Sequence, residues 1–142
     1  MKAAGECPVR FTINSDFSEG REVQKQILDE IERQGFDSHS AFAVKLAVDE
    51  ALNNAIKHGN RLAKGKKIHI QATITPEKAE IIVEDEGTGF DRRNVPDPTL
   101  QENLEKCSGR GILLMEAYMD QVNYSQNGRR VHMIKFNEPE SQ

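Results

Sequence analysis

Between residues 9 and 75 the spacing of apolar side chains switches from every second position to every third or fourth, and then back. Val9-Arg10-Phe11-Thr12-Ile13-Asn14 alternates apolar and polar with β-branched residues among them, the pattern of a half-buried strand. From about Ser18 to Gln34, Val23, Ile27, Leu28 and Ile31 recur at helical spacing amid Glu, Lys and Gln, which predicts an amphipathic helix stopped by Gly35. A second helix starts at Asp37 or Ser38, either a good N-cap, and runs through Ala41, Val44, Leu46, Val48, Leu52, Ala55 and Ile56. It ends at His58-Gly59-Asn60, with Gly59 expected to supply the C-terminal turn. KIHIQATIT (67–75) and AEIIVE (79–84) return to strand composition, joined by Pro76-Glu77-Lys78 as a hairpin turn.

The remainder follows the same logic. Gly111 to Met119 is apolar on most faces and predicts a short buried helix, while Gln121 to Ser125 and Arg130 to Phe136 predict strands around Asn127-Gly128, a strong hairpin signal. The order β-α-α-β-β-loop-α-β-β predicts an α+β fold: a two-layer α/β sandwich with a mixed, mostly antiparallel sheet and helices packed on one face. With no internal repeat or low-complexity tract, one domain is expected over residues 1–142, its core spanning roughly residues 9–136.

Charge and cysteine usage exclude several function classes. A net charge of -4 gives no overall drive toward phosphate backbones or anionic membranes, so neither nucleic acid nor a membrane is an expected partner. The basic runs Arg61, Lys64, Lys66, Lys67 and Arg129-Arg130 read as solvated loops. Cys7 and Cys107 lack a CxxC pattern or His partners at metal-ligand spacing and read as reduced thiols. The first residues hold no apolar run of signal-peptide type, and nowhere do 18 apolar residues follow one another, so a cytoplasmic location is expected.

Three features carry candidate chemistry. At roughly 100° per residue, Glu50 and Asn54 stand about 40° apart on the second helix, in a sector shared with Ala43 and Ala47. A carboxylate on a partly buried stripe needs partners, because desolvating an unpaired charge costs several kcal/mol. Either Glu50 faces solvent beside Asp49, Asn53 and Lys57, or a hard cation with phosphates, or a substrate hydroxyl, occupies the space above the helix. Oxygen ligands of this kind suit Mg²⁺, whereas His58, one turn further on, reads as a dipole-compensating residue rather than a zinc ligand.

The second feature is Asp85 at the end of an apolar strand, followed by Gly87 and Gly89. Asp85 can accept a hydrogen bond from an exocyclic amine, and the glycines let a ligand lie against the chain; a plain D-x-G turn is the alternative. The third is Ser108-Gly109-Arg110-Gly111, which places glycine amides at a helix N-terminus; a flexible N-cap explains the GxG equally well, and Lys106 and Arg110 tilt the reading toward an anion. From Asp85 to Arg110 the chain runs more than 20 residues, too long for an idle connection. Neither a P-loop nor a Rossmann fingerprint is present.

Taken in order, Asp49-Glu50-Ala51-Leu52-Asn53-Asn54-Ala55-Ile56-Lys57-His58-Gly59, then Asp85-x-Gly87-x-Gly89-Phe90, then Gly109-Arg110-Gly111 look like the N, G1 and G2 boxes of the GHKL (histidine kinase-like) ATPases. The short length and the sequence NNAIKHGN resemble the anti-sigma factor serine/threonine-protein kinases of RsbW type, with similarity over roughly residues 9–136. The resemblance implies a histidine kinase-like ATPase fold that binds ATP or ADP with Mg. Asn54 would be the metal ligand and Asp85 would hold the adenine amino group. Gly87, Gly89, Phe90, Lys106, Gly109, Arg110 and Gly111 would complete the nucleotide site, and Glu50 would be the catalytic base. It further implies phosphorylation of a STAS-domain anti-anti-sigma protein, sequestration of a sigma factor or other regulatory protein, and a homodimer formed near the first strand.

The chain departs from the pattern in two places. Cys107 stands where relatives often carry Arg, and Gly128-Arg129-Arg130-Val131 replaces a segment in which Thr often anchors the adenine. Both departures keep open a nucleotide-dependent protein-binding regulator with little or no kinase activity. A detached histidine kinase domain ranks lower, since no helix with a phosphoacceptor His precedes the motifs.

Overall fold

The computed structural model describes residues 8–60, 65–87, 118–126 and 129–137. The first alternating segment forms strand β1, Val9–Asn14, and the first helical pattern forms α1, Phe17–Arg33. Helix α1 begins one residue before the expected Ser18, because the Asp16 carboxylate accepts from the Ser18 backbone N–H at 2.7 Å and caps the first turn. It closes in a Schellman turn: Gly35, at φ +84°, donates its N–H to Glu32 O, and the Phe36 N–H reaches Ile31 O.

Helix α2, Ser38–Asn53, is capped by Asp37, which accepts from the Ser40 N–H at 2.7 Å. Strands β2, Lys67–Ile74, and β3, Lys78–Asp85, form the expected hairpin, and β4, Gln121–Ser125, pairs with β5, Arg130–Phe136. The sheet order is β1-β2-β3-β5-β4. Among the described strands every pairing is antiparallel, in keeping with the mostly antiparallel sheet that was expected. The predicted helix over Gly111 to Met119, apart from its last two residues, and the Asn127-Gly128 turn lie outside the described residues.

Strand alternation decides which face is covered. Ile68, Ile70, Ala72 and Ile74 on β2 and Ala79, Ile81 and Val83 on β3 are buried beneath the helices, while their neighbours in sequence face the other way. Helix α1 lies over β1 and β2, and α2 lies over β3 and β5. Val23, Ile27 and Ile31 of α1 and Val44, Val48 and Leu52 of α2 close the core, each worth about 1.5–3 kcal/mol of burial. The inward row of β3 ends in Asp85, which is 6% exposed, so its carboxylate sits where the three preceding inward residues are apolar. No helix among the described residues is long and apolar enough to cross a membrane.

Candidate functional site

Past Asn53 the second helix does not stop; it widens into a π-helical turn, Asn54–Gly59. The Asn60 N–H reaches Ala55 O at 2.8 Å, five residues back, where an α-helix would bond four back. This corrects the expected role of Gly59, which lies inside the helical turn and is not among the glycines with positive φ. Its lack of a side chain serves close packing instead: a Cβ on Gly59 would stand 2.2 Å from Asp85 Oδ2.

Glu50 and Asn54 are half-buried and line one cavity of about 270 Å³, together with Phe17, Asn53, Lys57 and His58. Glu50 thus stands half-buried on a cavity wall that it shares with Asn53 and Lys57. Among the described residues neither the Glu50 nor the Asn54 side chain is engaged in a hydrogen bond or ion pair, so both are available to a ligand. Burial raises the Glu50 pKa above its ordinary value, the neighbouring Asp49 charge raises it further, and His58 acts in the opposite direction. A carboxylate in that setting accepts a proton more readily than one in water.

Asp85 meets the same helix one turn later. Its Oδ1 accepts the Gly87 N–H at 2.8 Å, and a Cβ on Gly87 would stand 1.8 Å from Gly59 O. Gly59 and Gly87 therefore pack so closely on each other and on Asp85 that neither position admits a side chain. Burial raises the Asp85 pKa, while the Gly87 N–H and the Arg129 charge oppose the shift. A buried carboxylate with one oxygen held by a backbone amide has acceptor capacity left for a ligand N–H. Among the described residues, Asp85 and Gly87 lie outside the lining of the Glu50 cavity and join it only through the helix end. Gly89, Phe90, Lys106, Cys107, Gly109, Arg110 and Gly111 lie outside the described residues.

Residues 13–135 match the family model of the histidine kinase-like ATPase domain. The chain belongs to the histidine kinase-like ATPase family. That match includes Glu50, Asn54, Asp85 and Gly87 together with the strands and helices that hold them. The chain is 32% identical over 111 residues to the serine-protein kinase RsbW of Listeria monocytogenes serovar 1/2a, covering 73% of this chain and 71% of the relative. It is 36% identical over 95 residues to the anti-sigma F factor of Clostridium perfringens, covering 64% of this chain and 67% of the relative. Among solved structures, it is similar to the RsbU and RsbW domains of a Mycobacterium tuberculosis protein, with a TM-score of 0.63 and 17% identity. That likeness covers 94% of this chain but only 33% of the solved one, and it shows a shared fold.

Sequence reasoning missed Asn60, whose 1% exposed side chain ties the helix end to the turn after Asp85. A polar residue directly after the helix was a signal that could have been followed, but as a lone Asn it reads like any helix-ending residue.

Proposed function

We propose that this histidine kinase-like ATPase domain is an ATP-dependent serine/threonine protein kinase acting as an anti-sigma factor. It phosphorylates a STAS-domain anti-anti-sigma protein and, in its other state, holds a sigma factor. The observation that carries this is the pairing, on one helix, of a cavity lined by Glu50 and Asn54 with the buried Asp85 at the helix end. The relatives named as a serine-protein kinase and an anti-sigma factor support the assignment to this class.

Each residue has a role set by its chemistry. Asp85 accepts the adenine exocyclic amine, a contact that ATP and ADP offer alike. Gly59 and Gly87, lacking side chains, let the helix end and the turn close on the carboxylate, and the Gly87 N–H holds one of its oxygens. Asn54 offers a neutral amide oxygen, a hard donor of the type Mg²⁺ takes alongside waters and phosphate oxygens. When bound, the ion neutralises charge building up on the transferred phosphoryl group. Glu50 takes the proton of the attacking serine hydroxyl as the serine oxygen bonds to the γ-phosphorus and the bond to the leaving ADP oxygen breaks. Partial burial keeps Glu50 basic enough for that proton.

The test is transfer of label from γ-labelled ATP to the cognate STAS protein, by wild type and by Glu50→Gln. Wild type should label the substrate, and Glu50→Gln should do so about 100-fold more slowly or worse while still binding ADP. A wild type that binds nucleotide yet transfers nothing overturns the kinase assignment and leaves a nucleotide-dependent binding regulator.

A further inference from the structure

Asn60 is the one residue whose side chain joins three separate segments at the helix end among the described residues. Its Nδ2 donates to Ser15 Oγ at 2.8 Å, just after β1, and to Lys67 O at 2.9 Å, where β2 begins. Its Oδ1 accepts the Glu86 N–H at 2.8 Å, in the turn that follows β3. Its own backbone N–H closes the π-helical turn on Ala55 O. The side chain is 1% exposed, so each of these bonds is made out of water, where an unmet partner costs about 1–3 kcal/mol.

The bond to Glu86 matters most for chemistry. Two successive backbone amides follow Asp85: Gly87 donates to the Asp85 carboxylate itself, and Glu86 donates to Asn60. The side chain of Glu86 holds the same turn from outside, accepting from the Lys67 N–H at 2.9 Å and meeting His69 at 2.8 Å. Among the described residues, only Asn60 links the turn to the helix carrying Glu50 and Asn54 through a buried side-chain hydrogen bond.

We propose that Asn60 is a positioning residue for nucleotide binding: by holding the Glu86 amide, it fixes the Asp85 carboxylate relative to the helix that bears Glu50 and Asn54. The inference rests on Asp85 receiving the adenine. Asn60 itself touches no nucleotide; its two donors and one acceptor match the three groups around it, which neither Ala nor Asp can reproduce. Asp retains only the acceptor for Glu86, while Ser15→Ala removes one partner of Asn60 and leaves the Glu86 bond intact.

The experiment measures ADP affinity by calorimetry and melting temperature for wild type, Ser15→Ala, Asn60→Asp and Asn60→Ala, with hydrogen exchange at the Glu86 and Gly87 amides. Asn60→Ala should bind ADP about tenfold more weakly, with faster exchange at both amides, the loss expected when a buried amide is left unmet. Ser15→Ala and Asn60→Asp should melt earlier than wild type yet bind ADP within about threefold of it, because the Glu86 hydrogen bond survives in both. Affinity that simply tracks melting temperature across the series overturns the proposal, as does wild-type affinity in folded Asn60→Ala. Should Asn60→Ala fail to fold, Asn60→Asp decides: near-normal affinity at a lowered melting point supports positioning, and parallel loss overturns it. A wild type that binds no ADP defeats the assignment of the nucleotide site and this inference with it, whereas the outcomes above defeat this inference alone.

Discussion

Among the described residues, two carboxylates have their pKa raised by burial, and they are suited to different work. Glu50 lines an open cavity and has no partner among the described residues, so it can take up a proton and release it again. Asp85 is buried with one oxygen held by the Gly87 amide and Gly59 packed against it, a setting suited to accepting a ligand's hydrogen bond. A general base works in its ionised form, so phosphoryl transfer should be slow at low pH and rise as pH passes through the Glu50 pKa. Burial and Asp49 place that rise above the ordinary glutamate value of about 4.3. The check is transfer rate against pH at saturating substrates; a rate that is flat there, or an inflection at or below the ordinary value, contradicts the assignment. The sequence made Glu50 visible by its spacing from Asn54, but not its setting, since periodicity cannot separate a cavity wall from a solvated flank.

At the level of elements, helices and strands were legible because their periods are set by burial on one face, as Val23, Ile27 and Ile31 on α1 illustrate. The widening of the second helix over Asn54–Gly59 was not, since NAIKHG satisfies a continuing α-helix equally well. What favours the wider turn is tertiary: the buried Asn60 anchor and the approach of Gly59 to Asp85. Two glycines make this testable. Gly35→Ala places a side chain at φ +84° in a turn with open space around it, so it should cost about 1–2 kcal/mol of stability and leave ADP affinity unchanged. Gly87→Ala drives a Cβ into the Gly59 carbonyl and should cost about 1–3 kcal/mol and weaken ADP as well. Denaturant unfolding and ADP titration of both proteins check this. A Gly87→Ala variant of wild-type stability would show that the close approach at Gly59 can relax at no cost.

Over the whole molecule, the sheet brings the site together. The inward row of β3 runs apolar until Asp85, antiparallel pairing sets Asp85 opposite Ile68, and the π-helical turn that continues α2 meets the carboxylate at Gly59. The α+β architecture and the separate motifs were readable from sequence, because each is local. Their meeting at Gly59 was not, because it depends on how a helix end docks against a strand end, and no short-range pattern encodes that. Burial raises the folded-state pKa of Asp85, so its contribution to stability is fully present below its unfolded pKa and lost as pH rises through the folded one. Burial thus works against the charged form of Asp85, and a bound N–H donor offsets that cost. The most direct test is calorimetric titration of ADP into wild type and Asp85→Asn, with the melting temperature of each ligand-free protein. The account predicts that Asp85→Asn melts at or above wild type but loses most of its ADP affinity; undiminished ADP binding by Asp85→Asn would contradict it.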